Sequence, residues 1–489
     1  MFYKATPEQV GIKSADLYKR INRLIDGGYN FHSIFMAKGD KAFYESYFAP
    51  FTAEMPYRRY SQTKSFMVVA LGVLYDRGLV DLDAPFYAYF PEYEKYIKDE
   101  NFKNQTVRNM LTMTGTAAPD NWFKAHPEDR LAFYFSSPCP RLAGAWFDYD
   151  STGSFALGAL VEKLCKKPLL QFMQEILPEE MGFYNAKILV CPGGNSWADS
   201  GLLCTTRAMA EIGRLFNNYG SYNGKQIVSK EYMTDAMTIH SSKIFTNNKS
   251  RYYGYGYQIW MSDEGVFSFH GMGGQFTIFV PSKDFVFSCT GDNQSPEGTI
   301  LAEKLFDEVT EIAFSSGDAI PENKADYERL EAFAKSCKIK TAHKGKNADA
   351  SMQEKINHKK FICNNNPMGW KWFQLDFGET SALKYENEQG VKELKFSFDS
   401  NIIQPFPQLG YSNNTGSVYT DTRLFECAVS GGWDYGNKLD IFVQIIDEYL
   451  ARLNMNFVFP DENNCGFIFE KTAEDFLWEY EGEGIAIAE

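Results

Sequence analysis

The chain has no apolar run long enough to cross a bilayer. Its longest, Phe66 to Leu74, falls far short of the roughly 20 residues that a spanning helix needs. Met1 to Gly11 lacks the basic start and apolar core of a secretory signal, and carries Glu8, Gln9 and an early proline instead. Positive charge is in deficit: 49 Lys and Arg face 63 Asp and Glu, for a net charge of −14. That balance argues against a nucleic-acid partner, which calls for a basic face, and against an anionic membrane surface. Cysteine motifs are missing as well. The nine cysteines are scattered from Cys139 to Cys465, odd in number and without a Cys-x-x-Cys, so neither a disulfide framework nor a zinc site is expected. The chain also has no Gly-x-Ser-x-Gly elbow, no His-Glu-x-x-His and no Walker loop. These absences set the expectation of a cytoplasmic protein with no metal, no cofactor, no nucleic acid and no membrane among its partners.

What is present is ordinary in bulk and uneven in detail. At 489 residues the chain exceeds one common domain, and 44% hydrophobic with 23% charged residues suits a globular protein. Aromatics are plentiful, with 41 Phe, 29 Tyr and 8 Trp, a load that fits sheet packing and binding clefts but names no ligand. Up to about Gly291 helix-like and strand-like blocks alternate. Ser14 to Gly27 has helical periodicity, and His32–Ala37 with Ala42–Phe48 reads as a hairpin. Thr106–Met113, Gly153–Leu164 and Thr205–Phe216 read as helices. Val266–His270, Gln275–Pro281 and Phe285–Gly291 read as antiparallel strands. Pro296–Phe314 and Asn323–Cys337 follow as amphipathic helices, and Lys338–Lys360 as a polar linker. Short aromatic segments then recur between turn residues, from Trp370–Phe377 to Phe467–Phe469, the pattern of an all-β barrel or sandwich. The domains expected are thus 1–320, a helix and linker over 321–360, and a β-rich part over 361–489.

The chemistry concentrates at Ser61-Gln62-Thr63-Lys64. This Ser-x-x-Lys opens an apolar segment, Ser65 to Tyr75, that ends near Arg77-Gly78 and reads as a helix. A serine at a helix start feels unpaired backbone N–H groups and the positive end of the dipole. A lysine three residues on shares its face, so the pair can be a nucleophile with its own proton partner. The spacing alone is weak evidence, because Ser381-Ala382-Leu383-Lys384 matches too. That copy runs into Tyr385-Glu386-Asn387-Glu388-Gln389-Gly390, with no apolar helix to present it, and reads as chance.

Two further segments join it. In Phe147-Asp148-Tyr149-Asp150-Ser151-Thr152-Gly153 a tyrosine precedes a small polar residue at a helix start, and it can take or relay a proton if a nearby ammonium favours its phenolate. In Phe269-His270-Gly271-Met272-Gly273-Gly274-Gln275 glycines at a strand edge allow close backbone approach, and N–H groups there and at Ser61 can form an oxyanion hole. Each segment alone is as well explained by packing. His32, His126, His240, His343 and His358 have no catalytic partner in the sequence and read as structural or surface residues.

Taken in order, the three segments resemble the serine β-lactamase and penicillin-binding superfamily, and within it the class C–like branch of related esterases, D-aminopeptidases and amide hydrolases. The resemblance spans about residues 5–291. It includes Ala5 to Ile12, Arg59 to Phe66 continuing into Gly78 to Asp83, Thr106 to Gly115 and Ser200 to Arg207. It implies an α+β fold: a helical region packed on an antiparallel sheet flanked by helices, followed here by the β-rich C-terminal part. It also implies roles. Ser61 would be the nucleophile, Lys64 its proton partner, Tyr149 the general base and later acid, and the N–H groups of Ser61 and Met272 the oxyanion donors. Two departures stand out. Ser151 occupies the place of a usual asparagine. Phe269-His270-Gly271 replaces Lys-Thr-Gly, so the lysine that helps bind a β-lactam carboxylate is absent. The expectation is a serine hydrolase acting on a small ester or amide, with weak or no β-lactamase activity. The rival is a binding or sensing protein that keeps the fold without turnover. Homo-oligomerisation and the role of the C-terminal part are left open by the sequence.

Overall fold

The computed structural model describes residues 2–120, 127–242, 253–262, 264–294, 298–345, 351–407, 424–447, 450–473 and 480–489. The chain divides into two compact units, with the division between Lys338 and Ile339.

The first unit is built on a nine-stranded sheet. Its order is Tyr3–Lys4, Lys41–Tyr47, Phe31–Lys38, Phe285–Gly291, Gln275–Val280, Phe267–Gly271, Trp260–Met261, Gly254–Tyr255 and Ser241–Ser242. Tyr3–Lys4 runs parallel to its neighbour and the other pairs are antiparallel. The central strands are buried on both faces, as in Phe285–Gly291, where every residue is buried, because helices cover both sides. Thr206–Asn217 packs on one face, with Gly213 set against Val286 and Thr277. Ser14–Asp26 and Gly298–Ser315 pack together, the latter also on the sheet, tied by Arg20 and Arg23 to Glu308. The helix expected from Pro296 to Phe314 is described over Gly298–Ser315; Pro296 lies outside the described residues.

The helical region surrounds Gln62–Asp76. Its residues are buried from Gln62 through Leu74, including Phe66, Met67, Val68, Val69 and Leu71. A helix that is apolar all round belongs in a core, and this one is packed by Ser151–Cys165, Leu169–Ile176 and Lys230–Ala236. This is the α+β arrangement expected from the resemblance. No helix among the described residues is long and apolar enough to cross a membrane.

The second unit is a ten-stranded antiparallel sheet running from Gly390–Phe396 at one end to Ile402–Pro405 at the other. The two ends approach each other: Ser397 bridges Ser430, and Gly431 N–H donates to the Ser397 carbonyl. The barrel-like interior is filled by stacked rings, with Trp370 on Tyr385 at 4.2 Å and Phe361 on Phe373 at 5.1 Å. The expected strands lie here, the one starting at Thr422 described from Leu424 onward with its strand at Glu426–Trp433. Four more were not anticipated: Lys360–Cys363, Ser381–Asn387, Ile402–Pro405 and Gly482–Ala488. Within the span read as a linker, Ser351–Ile356 is helical.

Candidate active site

Ser61 sits at the N-cap of Gln62–Asp76, and its side chain makes no capping hydrogen bond. The residue before it, Tyr60, is held at φ +48°, a left-handed conformation that costs a non-glycine residue on the order of 1–3 kcal/mol. The neighbourhood over-determines it. Arg59 N–H donates to the Leu202 carbonyl at 2.7 Å. Thr63 Oγ1 donates to the Tyr60 carbonyl at 2.6 Å and accepts from Leu202 N–H at 3.1 Å. The chain therefore turns sharply from the Tyr57–Arg58 strand into the helix, with Ser61 half-buried at the bend.

Lys64 is 1% exposed. Its Nζ donates to Ser61 Oγ at 2.9 Å and to the main-chain carbonyl of Asp199 at 2.7 Å. The helical i, i+3 spacing thus brings the two side chains into direct contact. The second Ser-x-x-Lys does the opposite. Ser381 and Lys384 lie on the strand Ser381–Asn387, where Ser381 faces inward and Lys384 faces outward to pair with Asp376.

Tyr149 approaches the same pair by its ring face. It is 40% exposed, and Lys64 Nζ lies 5.2 Å from its ring centroid. Ser151 follows as the first residue of Ser151–Cys165, with Asp150 as N-cap accepting from Gly153 N–H at 2.8 Å. Burial pushes the Asp150 carboxyl up to about 6, partly offset by the Gly153 N–H and by the charges of Arg141 and Lys64. Its folded value lies above its unfolded one. Its stabilising contribution is therefore present below the ordinary carboxylate range and lost as pH rises through about 6.

The strand Phe267–Gly271 closes the other side. The Trp260–Met261 strand pairs with it at Phe267 and Ser268, so Phe269 to Gly271 face the Ser61 segment instead. Gln62 Nε2 donates to the Phe269 carbonyl at 3.2 Å. A Cβ on Gly271 would lie 2.3 Å from the Arg59 carbonyl oxygen, so glycine is what allows this approach. Met272 begins the turn after it, followed by Gly273 and Gly274 at φ +75° and +87°. Gln275 Nε2 fixes the turn through the Met272 and Gly291 carbonyls at 3.0 and 2.7 Å. Neither Ser61 N–H nor Met272 N–H donates to a backbone carbonyl among the described residues.

His270 is packed rather than extended. Its Nε2 is 2.8 Å from Ser268 Oγ, and its ring stacks on Trp260 at 5.3 Å and meets Phe276 and Phe306 at 5.1 Å. Trp260 stacks in turn on Tyr149 at 6.1 Å and 14°. One indole therefore bridges the tyrosine and the histidine.

Trp260, Asp199 and Gln258 escaped the sequence reading. Gln258 ties three helices: its carbonyl accepts from Ser65, its Oε1 from Ser154, and its Nε2 donates to the Met110 and Leu111 carbonyls. A glutamine held at φ +56° in an aromatic stretch gives no signal of such a role. Of the other histidines, His32 stacks on Phe51, and His240, His343 and His358 pair with Asp235, Asp434 and Asp376. His126 lies outside the described residues. Among the described residues no group of three His, Cys, Asp or Glu is arranged to hold a metal.

A family model described as Beta-lactamase matches residues 32–296, a stretch that contains Ser61, Lys64, Tyr149, Ser151, Asp199, Gln258, Trp260 and Phe269 to Gln275. A search of curated proteins returns no match. Among solved structures the chain is similar to the "Putative 6-aminohexanoate-dimer hydrolase from Bacillus anthracis", with 19% identity and a TM-score of 0.53 over 64% of this chain and 86% of that one. It is also similar to a penicillin-binding protein homologue from Caulobacter crescentus, with 14% identity and a TM-score of 0.50 over 60% of this chain and 97% of that one. A hydrolase with promiscuous acyltransferase activity gives the same identity and score, over 60% of this chain and 99% of that one. At these identities the likeness is one of fold.

Proposed function

The chain belongs to the Beta-lactamase family, and we propose that it is a serine hydrolase that cleaves a small ester or amide through an acyl-enzyme on Ser61. The observation that carries this reading is the 2.9 Å contact between Lys64 Nζ and Ser61 Oγ at the start of a buried helix. Ser61 Oγ attacks the substrate carbonyl as its proton passes to the Lys64–Tyr149 pair. The N–H groups of Ser61 and Met272 receive the negative charge that develops on the carbonyl oxygen. The pair then returns the proton to the departing alcohol or amine. Water attacks the ester left on Ser61, giving up a proton to the same groups, which pass it to Ser61 Oγ as the acid is released.

The strand side of the site argues for neutral substrates. No ammonium stands at Phe269 or His270, and the His270 ring packs against Trp260, Phe276 and Phe306. A buried carboxylate needs a charged or well-bonded partner, so β-lactams and D-Ala-D-Ala peptides lose their usual anchor. We expect kcat/KM for p-nitrophenyl acetate or butyrate to exceed that for nitrocefin by on the order of 100-fold, since a lost charge-assisted contact costs about 1.5–3 kcal/mol. Faster turnover of nitrocefin would refute the neutral-substrate assignment.

Gly271 provides a second test. Gly271→Val places side-chain atoms against the Arg59 backbone, which cannot swing aside as a flexible side chain could. Displacing a catalytic element by about 1 Å costs on the order of 100-fold. Acylation of Ser61 by a fluorophosphonate should slow by that order while the thermal unfolding transition persists. An unchanged labelling rate would remove the strand from the site.

The second reading, a binder without turnover, is favoured by Ser151 and by the packed His270. Acylation that persists for hours under intact-mass analysis, with no product from esters or D-amino-acid amides, would support it over the hydrolase.

A further inference from the structure

Asp199 holds Lys64 by its main-chain carbonyl, and any residue type would supply that contact. Its side chain needs a separate explanation. Asp199 is 1% exposed, and its Oδ1 makes no hydrogen bond. Burying a carboxylate is costly unless opposite charge lies beside it. An alanine here would keep the carbonyl and avoid that cost.

The surroundings of the carboxyl are cationic. The charges of Lys64, on Gln62–Asp76, and of Arg130, on Arg130–Phe135, both act on it. Arg58, on the Tyr57–Arg58 strand, donates to the carbonyl of neighbouring Ser200 at 2.9 Å. Arg58 and Arg130 both lie on the Trp197 ring, at 4.4 and 5.0 Å from its centroid. Arg130 also donates to the Cys191 thiol at 2.6 Å, and Cys191 feels both Asp199 and Glu162. Asp150, at the head of Ser151–Cys165, is a second carboxyl that feels Lys64. Burial raises the Asp199 carboxyl above the ordinary carboxylate range, while the charges of Lys64 and Arg130 and the Trp197 indole pull it back.

We infer that Asp199 is a positioning residue for the proposed reaction: its carbonyl fixes Lys64 Nζ beside Ser61, and its buried carboxylate balances the ammonium charge there. The inference rests on the reading of Ser61 and Lys64 given above. Its consequence is a pH dependence. As pH falls and Asp199 takes a proton, the balancing charge is lost and Ser61 becomes less reactive.

The test uses the full chain and a fluorophosphonate probe, with the rate of Ser61 labelling followed by intact mass between about pH 4 and pH 9. Thermal unfolding confirms that each variant is folded. Asp199→Asn should lower the neutral-pH rate by about tenfold or more, the scale of a lost neighbouring opposite charge. It should also remove one step from the acid side of the profile. Arg130→Gln deletes a cation beside the carboxyl and should move that step to higher pH. Asp150→Asn, which removes the other carboxyl that feels Lys64, should leave this step in place. Folded Asp199→Asn with a wild-type rate and profile would overturn the inference while leaving the hydrolase reading intact. If Asp199→Asn does not fold, Arg130→Gln decides alone, and an unmoved step overturns the inference. A wild-type protein unlabelled at every pH overturns both readings.

Discussion

Ser61→Ala is expected to lower kcat by on the order of 10^6, the loss seen when a serine hydrolase is deprived of its nucleophile. Alanine keeps the helix start intact: Ser61 makes no capping hydrogen bond, and the bend at Tyr60 is held by Arg59, Thr63 and Leu202. The variant should therefore unfold at close to the wild-type temperature, and the rate loss then reads the chemistry. A residual rate above water would remain from the oxyanion donors and substrate binding. Ester hydrolysis under saturating substrate measures the effect. A loss below tenfold would mean that acyl transfer goes through another residue.

Lys64→Ala and Tyr149→Phe are each expected to lower turnover by about two to four orders of magnitude, the usual worth of a positioned acid–base group. The two differ in their structural consequences. Lys64 is buried and bonded at Nζ to Ser61 Oγ and to the Asp199 main-chain carbonyl, so alanine leaves both without that donor and should also cost stability. Lys64→Met fills the space and isolates the chemical loss. Tyr149 is exposed at 40% and packs by its ring on Trp260. Phenylalanine preserves that stack, removes only the hydroxyl, and should leave the unfolding temperature unchanged. Turnover within tenfold of wild type for both Lys64→Met and Tyr149→Phe would exclude this proton path.

The sequence was legible wherever local chemistry set the outcome. The Ser61 helix was readable because an apolar run follows a start signal and ends at Arg77-Gly78. The twin at Ser381 was separable for the same reason, and the structure places it on a strand where its serine and lysine point to opposite faces. The hairpin strands at Gln275–Val280 and Phe285–Gly291 were readable from short turns between apolar blocks.

Contacts assembled over long stretches of chain left no such mark. Asp199 reaches Lys64 across 135 positions and Gln258 reaches Ser154 across 104. Neither distance has a signature in composition or spacing. Trp260 looked like one more aromatic among many, and its place between Tyr149 and His270 depends on how the strand Trp260–Met261 meets Phe267–Gly271. In the second unit, Gly482–Ala488 was missed because its outward residues Ile485 and Ile487 are apolar and exposed, which spoils the alternation of a half-buried strand.

Hydrolysis through Ser61 requires that its Oγ be acylated. The most direct measurement is intact-mass analysis of the full chain after exposure to a fluorophosphonate, with peptide mapping of the adduct. The predicted result is one adduct per chain, located on Ser61, absent from Ser61→Ala and formed slowly in Lys64→Met. An adduct of equal yield in Ser61→Ala, or one mapped to another residue, would contradict it.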